Sequence, residues 1–388
     1  MVGMSAVIFL PDDTAKTGYP QPMMLQSVTG APLLAWLANA LFDSGVERFF
    51  LLCQERFAEE ARQCMPKHAE VTVAQDGDAA DLLHVFLSTA DDSDRDVLII
   101  TGPAVYAPAL AKVAGAPGRS CVRKADREAF MDALDESFSL SRFLREQGTE
   151  LTEADGVFSA DSPAALTELA EIARKDRMLR LQKLGVEIYD PSNCYIEPDV
   201  IVEEGAKLLP GAVLRGKTVI EKGAVIGPWS TIENAHIGAG AKINASVVTD
   251  SKVGDGVSVG PFAHIRPDCH IAKGAYVGNF VELKNARIGE ESRLSHLSYV
   301  GDATVGARSN LGCGTATANF DRVNKHETVI GDDAFVGCNC ALVAPVHIGD
   351  GAYLAAGSVI TEDVPSQALG VARARQSNKR EWASRHKK

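Results

Sequence analysis

Residues 202–232 read VEEGAKLLPGAVLRGKTVIEKGAVIGPWSTI. An aliphatic side chain returns every six positions, at Val202, Leu208, Leu214, Ile220, Ile226 and Ile232. A period of six fits neither the 3.6-residue turn of an α-helix nor the two-residue alternation of a strand lying on a sheet. It is the hexapeptide period of a parallel β-helix, in which each unit supplies one short flat strand and a corner. The aliphatic residue points inward, and each coil covers its apolar edge only with its neighbours. The pattern recurs at Val253, Val259, Ile265, Ile271, Val277 and Leu283, and again at Ile330, Val336, Leu342, Ile348, Leu354 and Ile360. Glycine often follows the aliphatic position, as at Gly227, Gly254, Gly260 and Gly278. The alternative is a β-sandwich with chance periodicity, and three separate runs in one register argue against it. At three units per coil, residues 199–364 make about nine coils. The stretch 318–329, ANFDRVNKHETV, is too long and polar for one unit and reads as a projecting loop, where function concentrates on a repetitive scaffold. The coils are expected to end near Val364, with a basic tail over 365–388.

Residues 1–160 have a different texture. Apolar runs at Ala6–Leu10, Phe49–Cys53, Val71–Ala74 and Asp96–Thr101 alternate with helical patterns such as Pro32–Phe42. Strands alternating with helices predict a parallel Rossmann-like α/β sheet. Residues 161–198 read as a connecting arm built on one helix, Ala164–Leu184, with Ser162 as N-cap, Pro163 at its first turn and Gly185 just past its end.

The 388-residue chain is 46% hydrophobic and 23% charged, as expected of a globular protein, and its net charge of −12 argues against general nucleic-acid binding. Arg373 to Lys388 is locally basic, either a solvated end or a contact for a phosphate-bearing ligand. The eight cysteines show no CxxC spacing, so neither a zinc site nor a disulfide framework is expected. Absence of a signal-peptide pattern or a long apolar run predicts a cytoplasmic protein without membrane insertion.

Polar residues capable of chemistry crowd into one segment: Arg266, Glu282, Lys284, His296, Tyr299, Asn310, Asn319 and Lys325. Stacked coils bring such residues onto one face. The set offers cations for a phosphate, a carboxylate, and an imidazole able to take a proton near neutral pH. A lone histidine is more often structural. The surrounding cations shift that reading, because gathering cations is costly without an anion.

The segments GPFAHIRPDCHIAKGAYVGNFVELKNARIG (260–289), SHLSYVGDATVGARSNLGCGTATANFD (295–321) and NKHETVIGDDAFVGCNCALVAPVHIGDGAYLAAGSVIT (324–361) carry a family resemblance. They resemble the acetyltransferase domain of the bifunctional UDP-N-acetylglucosamine pyrophosphorylase / glucosamine-1-phosphate N-acetyltransferase family, over about residues 199–375. The resemblance, not the periodicity, implies a left-handed coil. It further implies a homotrimer with sites between neighbouring chains, acetyl-CoA as cosubstrate and glucosamine 1-phosphate as acceptor. In that family's pattern His296 is the general base and Glu282 the acid that supports it. Arg266 and Lys284 hold the sugar phosphate, and Tyr299 and Asn310 touch the sugar. Lys325 falls where the family uses a lysine from an adjacent subunit. Asn319, Ala356 and Arg373 match positions near acetyl-CoA. Cys313, Phe320 and Cys338 depart from the family's usual Ala, Tyr and Ser on the cofactor side. The implied chemistry needs no metal.

The first half resembles the same family's nucleotidyltransferase-like pyrophosphorylase domain without its chemistry. Its phosphate loop reads PDDTAKTGYPQP (11–22), with Asp12 and Asp13 and no arginine. Met23 follows Pro22 in place of lysine, and Pro103 and Phe158 stand where the family has metal ligands. Phosphoryl transfer relies on metal and cations to neutralise charge, so pyrophosphorylase activity is expected to be lost. The acetyltransferase stands against two alternatives: a hexapeptide acyltransferase for another amino sugar, and a non-enzymatic trimeric scaffold or regulator.

Overall fold

The computed structural model describes residues 4–75, 79–91, 94–111, 120–135, 143–144 and 146–385. The last three residues of the basic tail lie outside them. The chain divides into two compact units, residues 1–201 with 214–217, and residues 202–213 with 218–388.

In the first unit a parallel sheet is built from β1 (Met4–Phe9), β2 (Arg48–Leu52), β3 (Glu70–Ala74) and β4 (Asp96–Ile100), in the order β3-β2-β1-β4. Each lies within a residue or two of the run read from the sequence. Two strands with no apolar run extend the sheet beyond β4: β5 (Val122–Asp126), antiparallel to β4, and β6 (Thr149–Glu150), antiparallel to β5. The sheet is thus mixed at one edge rather than wholly parallel, within an α/β unit. Helix α1 (Leu33–Phe42) buries eight of its ten residues, because Leu33, Leu34, Leu37 and Leu41 recur on one face and Trp36 with three alanines fills the rest.

The long helix α2 (Leu166–Lys183) follows a short 3-10 turn at Pro163–Ala165, and Gly185 takes a left-handed φ of 87° after it. Ser162 makes no side-chain capping bond. Nor is α2 a free-standing arm: Leu166, Leu169, Ala170 and Ala173 are part of the first unit's hydrophobic core. Among its buried polar residues Asp176 is satisfied, whereas Arg174 Nε and Arg177 Nε have no hydrogen-bond partner. Asp176 accepts from the Ala109 N–H at 2.8 Å and from Arg180 Nε at 2.7 Å. Burial pushes the Asp176 carboxyl up, while Arg180 opposes the shift.

The second unit is a left-handed β-helix with three flat faces. The first face stacks strands from Lys207–Leu208 to Leu369–Gly370. The second runs from Thr231–Glu233 to Val359–Ile360, and the third from Val219–Ile220 to Val346–Ile348. Leu369–Gly370 pairs with Tyr353–Leu354, so the coils continue past Val364 rather than ending there. All rungs pair parallel and in register, for instance Ile237 with Val253, Val253 with Ile271, and Ile271 with Ile288. Those side chains are almost wholly buried, and each contributes roughly 1.5–3 kcal/mol by leaving water. At one inward position a threonine replaces the aliphatic residue. Thr317 Oγ1 accepts from the Gly301 N–H at 2.8 Å and donates to the Gly301 carbonyl at 3.0 Å, so its hydroxyl is satisfied inside the stack.

Corners require a left-handed backbone. Along the edge between the first and second faces it is adopted by Trp229, Ala245, Phe262, Phe280, Leu297, Gly314, Asn339 and Gly357. Serines near the corners satisfy backbone carbonyls, as Ser230 does with Gly227 at 2.6 Å and Ser309 with Gly331 at 2.7 Å. The expected loop leaves the helix between the strands Ala316–Ala318 and Thr328–Ile330. Among the described residues no helix is long and apolar enough to cross a membrane.

Candidate active site

The second face carries the charged group read from the sequence. Glu282 and Tyr299 are register partners on adjacent rungs, as are Lys284 and Gly301. Arg266 sits one rung below Lys284, its backbone N–H bonded to the Leu283 carbonyl. Arg266 Nη1 pairs with Glu282 Oε1 at 2.8 Å, both side chains about 40% exposed. Gly301 makes room for Tyr299: a Cβ there would lie 2.3 Å from the tyrosine hydroxyl.

Lys325 comes to Lys284 from the loop. The two ammonium groups face each other, so Lys325 first, and Arg266 to a lesser extent, hold the Lys284 ammonium below its usual range. Three cations therefore converge on one exposed surface. Asp302, mostly buried beneath them, accepts from Asn285 Nδ2 at 2.8 Å and from the Asn319 side-chain amide. Those bonds, with Lys325 and Lys284 nearby, hold its carboxyl below the usual range against the effect of burial. Through Asn319, Asp302 anchors the root of the loop to the second face.

The loop is organised by its own residues. Phe320 bridges Lys325 across it. Asp321 accepts from the Asn324 and Val323 N–H groups at 2.7 and 2.8 Å and meets His326 Nε2 at 2.7 Å. The two backbone donors and the imidazole lower the Asp321 carboxyl to about 2.

His296 and Tyr299 flank one corner, at Leu297. His296 Nδ1 lies 2.7 Å from Asn279 Oδ1. The amide oxygen only accepts, so the tautomer assigned to His296 carries its proton on Nδ1 and leaves Nε2 with a lone pair. The residue found supporting the imidazole within the chain is thus Asn279, while Glu282 is engaged by Arg266. Asn279 carries no charge and stands in VGNF among small and apolar neighbours, so nothing in composition or spacing singled it out. Its register pairing with His296 is visible only once the rungs are stacked.

Further up the same corner the residues expected from the resemblance to lie on the cofactor side line up. Cys313, Cys338 and Ala356 follow on successive rungs, and the Arg373 side chain comes beside Gly357. Cys338, Ala356, Phe320 and Arg373 are exposed, and Cys313 is half-buried. Asn319 is buried against Asp302 instead. Asn310 is not brought to the cation cluster: it lies on the first face between Arg293 and Phe335, beside a groove shared with Glu291 and Arg308. A larger shallow groove of about 630 Å³ on the third face is lined by His236, Lys252, His270 and Arg287, and it contains none of the residues singled out from the sequence.

In the first unit the positions read from the sequence as a lost nucleotide site are filled from within. Asp12 pairs with Arg56, and its oxygen accepts from the Thr14 hydroxyl at 2.6 Å and N–H at 3.2 Å. The Thr14 bond is the main cause holding the Asp12 carboxyl below its ordinary value. Asp13 Oδ1 accepts the Met23 N–H at 3.0 Å. Met23 and Met24 are buried, the Pro103 carbonyl accepts from Cys121 Sγ at 3.3 Å, and Phe158 is buried opposite Val105.

The rungs, corners and inward ladder define the second unit as a hexapeptide-repeat domain. The model for the bacterial transferase hexapeptide (six repeats) matches it over residues 250–285 and 327–362. The particular likeness is to proteins named bifunctional protein GlmU. The chain is 48% identical to one from an Exiguobacterium species over 231 residues, 60% of this chain and 51% of that one. It is 49% identical to one from a Geobacillus species over 221 residues, 57% of this chain and 48% of that one. The chain thus spans about half the length of the curated relatives it matches, and the resemblance read from its motifs holds. Two solved structures are more distant. The inositol-1-phosphate CTP transferase from T. maritima is 14% identical, with a TM-score of 0.34 over 45% of this chain and 96% of that one. The Francisella novicida UDP-N-acetylglucosamine acyltransferase is 21% identical, with a TM-score of 0.28 over 48% of this chain and 66% of that one.

Proposed function

We propose that the β-helical unit is an N-acetyltransferase that moves acetyl from acetyl-CoA to the amine of glucosamine 1-phosphate. The observation that carries the reading is the convergence of Arg266, Lys284 and Lys325 on one face, with the Lys284 ammonium already pushed down by its neighbours. Like charges held this close are relieved by a dianion, and a sugar phosphate supplies one while its sugar ring extends toward the corner.

His296 is the base. With Nδ1 held by Asn279, Nε2 takes a proton from the substrate amine as the nitrogen attacks the thioester carbonyl. The carbon–sulfur bond breaks, and the imidazolium returns the proton to the departing CoA sulfur. A positioned base supplies roughly 10²- to 10⁴-fold, and orienting both substrates supplies much of the remainder. Arg266 and Lys284 fix the phosphate and thereby aim the amine. Tyr299 faces the sugar, and Cys313, Cys338, Ala356 and Arg373 line the acyl-donor side with Phe320 of the loop. Within one chain the face is open and Asn310 stands apart. Both features support a homotrimer in which a neighbouring chain closes the site and brings its own Asn310 to it.

The first unit has no pyrophosphorylase activity in this reading, because internal carboxylates and buried apolar residues stand where phosphate donors and metal ligands are required. The test is CoA release with acetyl-CoA and glucosamine 1-phosphate, alongside pyrophosphate release with UTP. Turnover that collapses in His296→Ala, with no pyrophosphate signal, supports the reading. A folded trimer without CoA release overturns the first part, and UTP-dependent pyrophosphate release overturns the second.

A further inference from the structure

Leu311 pairs with Val336, the Gly312 N–H bonds the Val336 carbonyl at 2.8 Å, and the Asn339 N–H bonds the Cys313 carbonyl at 2.7 Å. The register therefore sets Cys313 directly beneath Cys338 at one corner. Neighbouring strands lie about 4.8 Å apart, inside the roughly 4.4–6.8 Å range of Cα separations that a disulfide spans. Cys338 is exposed and Cys313 half-buried, so one thiol is presented to solvent and the other waits beside it.

The remaining thiols do not compete. Cys53, Cys64, Cys194, Cys269 and Cys340 are buried. Burial drives the Cys64 thiol up to about 12 and raises Cys269 and Cys121 as well, keeping all three protonated and unreactive. Cys121 is held by Ser159 and the Pro103 carbonyl. Cys340, two residues after Cys338, points inward and donates to the Ala355 carbonyl at 3.3 Å.

We propose that Cys313 and Cys338 form a reversible modification site, oxidised to an intramolecular disulfide by a low-molecular-weight disulfide and reduced again by thiols. The Cys338 thiolate attacks one sulfur of the small disulfide. The S–S bond breaks, one small thiol leaves with the proton, and a mixed disulfide forms on Cys338. The Cys313 thiolate then attacks Cys338 Sγ and expels the second small thiol. Two protein thiols are oxidised while one disulfide is reduced to two thiols. The rung geometry alone carries this step. Its consequence rests on the proposed acyl-donor position: a covalent bridge across two rungs there closes off the path of the thioester.

The test treats the full chain with glutathione disulfide, quenches with acid, alkylates and reads the intact mass and peptide map. The expected result is loss of two hydrogens, a Cys313 peptide linked to the Cys338 peptide, and full reversal by dithiothreitol. Cys313→Ser is expected to stop at a glutathione adduct on Cys338, and Cys338→Ser to give no product. A wild-type chain that retains a stable glutathione adduct while Cys313 remains alkylatable overturns the proposal. So does linkage of Cys338 to Cys340 or to a second chain, or no reaction at all. Failure of acetyl transfer in the reduced protein would sink the functional reading and leave this mass shift untouched.

Discussion

Asn279 Oδ1 and His296 Nδ1 are 2.7 Å apart on adjacent rungs, one on each side of a backbone register pair. The amide oxygen thereby decides which imidazole nitrogen is available to a substrate. Asn279→Ala is expected to lower kcat about tenfold, the worth of one hydrogen bond, with little change in either KM. Asn279→Asp, which keeps the acceptor, should restore most of the rate. Steady-state kinetics of both variants checks this, and a pure KM effect would show that Asn279 does not position the base.

The cation group makes a separable prediction. Arg266→Ala and Lys284→Ala are each expected to raise KM for the sugar phosphate tenfold or more, since a charged hydrogen bond is worth about 1.5–3 kcal/mol. KM for acetyl-CoA should stay within about twofold. The Arg266–Glu282 pair is largely solvated, so Glu282→Ala should cost less than about 1 kcal/mol of stability by denaturant titration.

Asp321 holds the loop that carries Lys325. Its folded-state carboxyl is lowered to about 2, below its ordinary value of 3.8. Its contribution to loop order is therefore present above pH 3.8 and lost as pH falls through about 2. Hydrogen exchange at Val323 and Asn324 should quicken across that window. Asp321→Ala should show the fast rate at neutral pH, together with a higher KM for the sugar phosphate.

Thr317 interrupts the aliphatic ladder by bonding both backbone groups of Gly301. Thr317→Val keeps the shape and removes the hydroxyl, leaving that N–H and carbonyl without their partner. A loss of about 1–3 kcal/mol is expected by chemical denaturation. An unchanged midpoint would show that the hydroxyl contributes nothing.

The inward ladder was legible because its units, with an exception at Thr317, bury one aliphatic residue each, whatever the rest of the unit holds. The corners were less so. Trp229, Phe262, Phe280 and Leu297 adopt a left-handed φ that local preference would give to glycine, and only the stacked hydrogen bonds hold them there. In the first unit the four apolar strands announced themselves. Strand β5, with Arg123 and Lys124 in a five-residue run, did not, because only Val122 and Ala125 of that run are buried. Helix α2 was read as an arm because its core-facing side includes Arg174, Asp176 and Arg177, whose burial depends on partners distant in sequence. At the site, the charged residues and His296 stood out by type, whereas Asn279 and Asp302 gain meaning only from the register.

The carboxylates of Asp12 and Asp13 occupy N–H groups of a loop that in the resembling family would cradle a polyphosphate. A protein that must wait for its ligand to satisfy such donors melts later when the ligand is added. Here the acids are covalently part of the chain and always present at full occupancy. The thermal transition of the first unit should therefore be indifferent to UTP and magnesium, because the domain carries its own permanent counter-anions.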